Sequence, residues 1–310
     1  MDFIAGSTGF VGSNLISQHR FDGMFHSTDI QKAYDKKPDL LVYAGVRAEM
    51  FLANRDPEAD LSLIKEAIEN IRRISPDECI LISTIAVYPD TKGADEDTII
   101  DPGAASAYGA NRLYLEKWVE ENIGKSLIVR LPAIFGKNLK KNFLYDYIHV
   151  YPALLTKEKM EELLPKAPGL GRYYILQDNG FYKCMVNDPA EKKRLKELFL
   201  NVGFSALNFT DSRSRYQFYP LKHLWKHIET ARANGLKRLN ITTPPLSASE
   251  VYSYLCGKEF ENILSKPPYD YDLRSEYAEL FGGRSGYILS REQVLKDIAS
   301  FVREETEEEG

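Results

Sequence analysis

The sequence predicts an α/β fold, a doubly wound parallel sheet with a second, smaller region toward the C-terminus. Three observations predict it. A short apolar run leads into a glycine-rich turn and then a helical pattern at the N-terminus. Apolar runs of strand length alternate with helical patterns as far as Gly136, the order of βαβ units. These runs are continuously apolar rather than alternating, as in strands buried on both faces. The length of 310 residues leaves room for one large core or two fused domains.

The elements follow in order. Phe3-Ile4-Ala5 is the first strand, Gly6-Ser7-Thr8-Gly9-Phe10-Val11-Gly12 the turn, and Phe10, Val11, Asn14, Leu15 and Gln18 lie at helical spacing. Residues 13–38 hold the rest of this helix and leave space for one short strand near Met24 to Ser27, followed by Thr28-Asp29-Ile30. Asp39 to Gly45 is a buried strand closed by glycine, and Leu61, Ile64, Ile68 and Ile71 mark a helix face. Next come the strand Cys79 to Thr84, a Pro-, Gly- and Asp-rich loop to Ala107, and a helix from about Tyr108 to Asn122. The strand Leu127 to Arg130 then ends in Leu131-Pro132-Ala133-Ile134-Phe135-Gly136.

Beyond Gly136 the pattern loosens. Pro189 after Asp188 opens a helix, Leu221 to Ala233 reads as helical, and Arg238 to Thr242 reads as a strand. Ser247-x-x-Glu250 and Ser290-x-x-Gln293 have the form of capping boxes. This organisation divides the chain into a first domain of 1–140, to which 208–243 returns, and a smaller region of 141–207 and 244–310. The acidic run Arg303 to Glu309 reads as a solvated end.

Composition excludes several classes of function. Apolar residues at 44% and charged residues at 27% are ordinary for a globular chain. Forty Lys and Arg against 45 Asp and Glu give a net charge of −5, so no global attraction favours nucleic acid or anionic membrane. Cys79, Cys184 and Cys256 are too widely spaced for a disulfide framework or a zinc site. His149, His223 and His227 lack metal-ligand company, so no metal is expected. The charge-free stretch Phe3 to His19 falls short of a bilayer span and lacks a basic leader. A cytoplasmic chain is expected.

Glycines at 6, 9 and 12 permit a tight turn, close approach of backbone to a pyrophosphate, and close packing of helix on sheet. Exposed N–H groups of the turn and the helix dipole then face an anion. The spacing is G-x-x-G-x-x-G, and its place between strand and helix points to a dinucleotide, within a Rossmann-like fold whose nucleotide half is shortened. Asp29 is placed to approach the adenosine and Ile30 the adenine ring, although Asp29 also reads as a surface turn residue. No Arg or Lys directly follows that strand to hold a 2′-phosphate, whereas His26, Ser27 and Thr28 can do so. NAD and NADP both stand.

The arrangement resembles the extended short-chain dehydrogenase/reductase family, the nucleotide-sugar epimerases, dehydratases and reductases. Gly6 to Gly12 matches that family's cofactor turn, and Ala44-Gly45 its small pair after the next core strand. Ser83-Thr84-Ile85-Ala86-Val87-Tyr88 resembles its S-[ST]-x-x-V-Y element, which puts the catalytic hydroxyl on Thr84. Tyr108-Gly109-Ala110-Asn111-Arg112 stands where the family has Y-x-x-x-K, and Arg130 to Gly136 resembles its R-x-x-x-V-Y-G strand end. The resemblance implies Tyr108 as acid/base and Ala44, Gly45, Ser83, Tyr108, Arg112 and Pro132 at the cofactor. It implies Asn142 and either Arg213 or Arg215 on the nucleotide diphosphate of a sugar substrate, and leaves a homodimer open.

The chemistry accounts for these residue types. Hydride moves between a sugar carbon and nicotinamide while a proton moves between the sugar oxygen and a protein group. A phenol ionises near pH ~10, so it needs nearby positive charge to act as a base at neutral pH. Arg112, one helical turn after Tyr108, is expected to favour the phenolate and to fork onto the ribose hydroxyls. Ile85-Ala86 replaces the Asp-Glu pair of the sugar 4,6-dehydratases, and Ala86 stands where 3,5-epimerising reductases have cysteine. Carbonyl reduction or epimerisation by transient oxidation remains, beside two alternatives: reduction of a small carbonyl compound, or a cofactor-binding sensor or scaffold with little turnover.

Overall fold

The computed structural model describes residues 1–308, so Glu309 of the acidic run lies outside them. The chain forms two compact units. The first comprises Met1–Asn138, Tyr216–Leu246 and Asp270–Val294. The second comprises Leu139–Arg215, Ser247–Tyr269 and the chain from Leu295 on.

In the first unit, β1 (Asp2–Ala5), β2 (Gly23–Phe25), β3 (Leu40–Tyr43), β4 (Glu78–Thr84), β5 (Lys125–Leu131) and β6 (Arg238–Asn240) form one sheet in the order β6-β5-β4-β3-β1-β2. Every pairing is parallel, with Phe3 opposite Leu41 and Val42 opposite Ile80. The strand order reverses at β1, which places a crevice at the carboxyl ends of β1 and β3. Alternate side chains feed two cores. Ile4, Val42, Ile80 and Val129 pack with Leu15 and with Leu224, Trp225 and Ile228 of the helix Leu224–Ala233. Phe3, Leu41, Cys79 and Ile128 pack on the other face with Ile64, Ile68, Ile71, Leu115 and Val119.

These last residues belong to α3 (Pro57–Ile74) and α4 (Ala107–Asn122), which follow α1 (Phe10–Ile16) and α2 (Met50–Arg55). Asp56 caps α3, accepting the Ala59 N–H at 3.1 Å, with Pro57 in the first turn. Ile64, Ile68 and Ile71 are buried as their spacing predicts, and Leu61 is half-buried at the edge of the face. The short segment after α1 holds β2 alone, at Gly23–Phe25 rather than Met24 to Ser27, then a 3₁₀ turn at Ile30–Ala33.

The domain division differs from the sequence reading chiefly in two places. Residues 208–215 belong to the second unit and 270–294 to the first. The latter segment shows no periodicity, yet Leu273 is fully buried with Ile85, Val87 and Leu113. Its backbone also binds within the first unit, the Leu273 carbonyl accepting from Gln217 at 2.9 Å and that of Asp272 from the Gly93 N–H at 2.8 Å. Tertiary packing decides its place, and local pattern does not show it.

The second unit has its own core, with Leu155, Leu170, Tyr174, Leu195 and Phe199 under a three-stranded antiparallel sheet of Leu154–Thr156, Phe181–Cys184 and Tyr174–Leu176. Asp188 caps the helix Pro189–Asn201, and Ser247 and Ser290 cap the two helices expected after them. Among the described residues no helix is long and apolar enough to cross a membrane.

Arg130 of β5 is buried with Glu116 of α4. Its Nε lies 3.2 Å from both carboxylate oxygens and its Nη2 2.7 Å from Oε2. Arg130 Nη1 donates to the Tyr88 hydroxyl at 2.5 Å, and Ser83 Oγ donates to Glu116 Oε1 at 2.5 Å. Breaking such a pair leaves one charge buried without its counter-ion, whereas replacing both removes the charges altogether. Arg130→Met is therefore expected to lower unfolding free energy by ~3–5 kcal/mol in urea titrations. The double variant Arg130→Met/Glu116→Leu is expected to lose less than Arg130→Met alone.

Candidate active site

The turn after β1 is built by close backbone contacts. Gly6 has φ +86°, and a Cβ there would lie 2.4 Å from the Ala44 carbonyl oxygen and 2.7 Å from the Gly45 nitrogen. Only glycine meets both demands. A Cβ on Gly12 would lie 2.1 Å from the Gly6 carbonyl oxygen, so α1 packs directly on the turn. The turn and the Ala44-Gly45 pair are thus brought together, as the sequence implies.

The Gly6 and Ser7 N–H groups donate to the Phe25 carbonyl at 2.8 and 3.0 Å, and Ser7 is buried. They bind the sheet edge rather than face an anion. The donors a helix leaves over are the first-turn N–H groups on Phe10, Val11 and Gly12. Thr8, Gly9 and Gly45 are exposed, and a Cβ on Gly45 would touch only the Tyr43 ring, at 3.5 Å. A bare backbone around a helix N-terminus fits the pyrophosphate of a dinucleotide. Asn14 pins α1 in place, donating through Nδ2 to the Phe10 carbonyl at 2.8 Å and the Lys137 carbonyl at 2.9 Å.

Asp29 takes the turn role that the sequence also allows, whereas Ile30 sits differently from expectation. Asp29 Oδ1 accepts the His26 N–H at 2.8 Å, and Oδ2 lies 3.4 Å from His26 Nε2, so the carboxylate closes its own turn. Ile30 is buried in the core with Phe3 and Ile64, which directs it away from an adenine ring.

The reactive groups gather at the start of α4. Ser106 caps it, and a Cβ on Gly109 would lie 2.1 Å from the Ala86 carbonyl oxygen. Helix backbone therefore rests on the turn that follows β4. Tyr108 is buried, its N–H donates to Asn54 Oδ1 at 2.9 Å, and Thr84 and Arg112 lie near enough to its hydroxyl to lower its proton affinity. Thr84 Oγ1 also accepts the Ala86 N–H at 3.1 Å. Thr84, Tyr108 and Arg112 thus meet at one point.

Arg112 pulls the Tyr108 phenol down as its spacing suggests, but its fork is engaged elsewhere. Its Nη1 donates to Asp60 Oδ2 at 2.7 Å, and its Nη2 to Asp60 Oδ1 at 3.0 Å and to the Arg47 carbonyl at 2.7 Å. The fork expected on ribose hydroxyls is closed on a carboxylate. Burial pushes the Tyr108 phenol above its ordinary value; Arg112 pulls it down, and Asp60 opposes that pull. The balance favours the neutral phenol, not the phenolate.

Ser83 gives its hydroxyl to Glu116, and Pro132 is half-buried after β5. In the second unit, Asn142 caps the helix Phe143–His149 through Oδ1, accepting the Leu144 and Tyr145 N–H groups at 2.9 and 3.1 Å, with φ +130°. Such a backbone is strained for a residue other than glycine. Arg213 closes on Asp211, with Nε 2.9 Å from Oδ1 and Nη2 2.7 Å from Oδ2, which holds that carboxyl well below the usual range. Arg215 is exposed, and its N–H donates to the Tyr269 carbonyl at 2.8 Å. Among the described residues no group of three or more His, Cys, Asp or Glu could hold a metal ion.

The model of the NAD dependent epimerase/dehydratase family matches residues 3–169, more than half of the chain. The chain belongs to the NAD dependent epimerase/dehydratase family. No curated protein matches it. Among solved structures it is similar to a UDP-galactose 4-epimerase, 14% identical with a TM-score of 0.62 over 99% of this chain and 98% of the other. It is similar to dTDP-4-dehydrorhamnose reductase from Bacillus anthracis in complex with NADP, 15% identical with a TM-score of 0.61 over 98% and 99%. It is also similar to the Thermus thermophilus UDP-glucose 4-epimerase complex with NAD, 10% identical with a TM-score of 0.58 over 97% and 98%. At these identities the likeness establishes the fold.

Within this member of the family, three residues of the site escape a sequence reading. Gly109 has a visible signal, a glycine in the first turn of a helix where it costs stability. Asp60 reads as an acidic residue near a helix N-terminus, and Glu116 as a surface charge. Gly109→Ala is expected to lower stability by ~1–3 kcal/mol, because the added methyl meets backbone that cannot rotate away. Gly124→Ala, where a Cβ meets nothing within 4 Å, is expected to stay within ~0.5 kcal/mol. Thermal and urea melts of the two variants check both.

Proposed function

We propose that the chain is an NAD(P)-dependent enzyme acting on a nucleotide sugar, as a keto-sugar reductase or an epimerase, with Tyr108 as acid/base. The observation that carries this reading is the approach of Tyr108 of α4 to Thr84 at the end of β4, the strand next to β3, which runs into the Ala44-Gly45 pair packed on Gly6. Family membership and the sugar-nucleotide enzymes of the same fold support it. The first turn of α1, with Thr8, Gly9, Ala44 and Gly45, would hold the dinucleotide. When bound, it supplies hydride chemistry at its nicotinamide ring.

Thr84 orients the reacting oxygen, and Tyr108 moves the proton at that oxygen. A neutral phenol is in the correct state to give a proton to a carbonyl being reduced. It must first lose that proton to begin an oxidation. Reduction is therefore the better-supported direction, and epimerisation, which opens with an oxidation, the slower one. Asn142 and one of Arg213 and Arg215 are the proposed ligands of the nucleotide diphosphate.

Calorimetry with both oxidised and reduced cofactors is expected to detect binding of NAD(H) or NADP(H). Tyr108→Phe should keep that binding and lose ~10²–10⁴-fold in turnover of a nucleotide keto-sugar. Failure of the wild type to bind either cofactor would overturn the enzyme reading. Tight binding of cofactor and sugar without product, unchanged by Tyr108→Phe, would favour the sensor or scaffold alternative.

A further inference from the structure

We propose that Asp60 is a positioning residue of this site, which takes both ends of the Arg112 fork, weakens its pull on Tyr108, and helps keep the phenol a proton donor rather than a base. The inference rests on the reading of Tyr108 as the acid/base group. Asp60 lies in the first turn of α3, buried, with each carboxylate oxygen on a different Arg112 nitrogen. Asn111 Nδ2 adds a third donor, to Oδ2 at 2.9 Å. The carboxylate thus meets both adjacent side chains of α4, and the Arg47 carbonyl takes the remaining direction of Arg112.

This geometry explains why arginine, not lysine, suits the position. A planar fork can meet two carboxylate oxygens and a carbonyl at once, whereas an ammonium is a point charge that approaches one oxygen closely at a time. Arg112 Cζ lies 4.2 Å from the centre of the Tyr108 ring. An unpaired guanidinium at that distance would strongly favour the phenolate. Asp60 opposes that pull in part, Arg112 remaining the stronger of the two at Tyr108.

The groups facing Tyr108 are few. Arg112 comes from its own helix, Asp60 from α3, the Thr84 hydroxyl from the end of β4, and the uncharged Asn54 meets its backbone. Burial and Asp60 raise its proton affinity, and Arg112 and Thr84 lower it. Removing the Asp60 charge leaves Arg112 acting alone. The proton that Tyr108 gives to a substrate oxygen returns from solvent in either case, so Asp60 alters the readiness to give it and not its source.

The test reads phenolate absorbance during alkaline titration without cofactor, each protein being compared with its own Tyr108→Phe counterpart so that the difference reports Tyr108 alone. In Asp60→Asn, which keeps an acceptor for Arg112, Tyr108 is expected to ionise ~1 pH unit or more below its wild-type midpoint. Arg112→Gln, which leaves Asp60 alone, is expected to move it the opposite way and provides the test if Asp60→Asn does not fold. Asp60→Asn/Arg112→Gln is expected to titrate between wild type and Arg112→Gln. A folded variant of either single kind with an unmoved Tyr108 midpoint would overturn the proposal, since a purely structural ion pair changes melting and not this titration. These shifts in a wild-type background that binds no cofactor would support the pairing and overturn the enzyme reading, so the two fail separately.

Discussion

The contact on which the site depends is the rest of the α4 backbone at Gly109 against the Ala86 carbonyl. A side chain at 109 would hold the helix off the turn that follows β4. Close approach instead drives one face of α4 into the protein, and Tyr108, Arg112 and Glu116 follow one another on that face at intervals of four. All three are buried, so each needs a partner. Thr84, Asp60, and the pair Arg130 and Ser83 supply them. One packing contact thereby sets the reactive hydroxyl, its electrostatic surroundings and a buried ion pair.

The first turn of the fold works by the same means. Gly6 and Gly12 let α1 and the Ala44-Gly45 pair approach the end of β1 as bare backbone. The parallel sheet fixes where these ends lie, because β1, β3 and β4 are neighbours and share a direction. The site is a consequence of topology and of three glycines more than of any long-range charge.

Much of this was legible from the residues alone. The order of strands and helices through β5 follows from apolar runs and helical spacing, and even the single strand after α1 follows from the length of chain between Gly12 and Asp39. Thr84 and Tyr108 come together as their motifs imply. What escaped depends on contacts between segments distant in sequence. Nothing local in Asp60 tells that it faces Arg112 across two helices, and nothing in Ser83 or Ile30 tells that one serves Glu116 and the other the core. The segment 270–294 joins the first unit through irregular chain, where periodicity has no purchase.

The reversal at Arg112 changes the chemistry more than the fold. A charge inferred from sequence is a full charge, while in the structure it is half of a pair, and the tyrosine beside it responds to the pair. In the proposed reading the site is thereby suited to delivering a proton. The most direct measurement of the whole account is the fate of deuterium from NAD(P)H carrying deuterium at both C4 positions of the nicotinamide, followed by mass spectrometry of the product from a nucleotide keto-sugar. The account predicts one deuterium in each product molecule, in step with cofactor oxidation. Product formed without the label would contradict it.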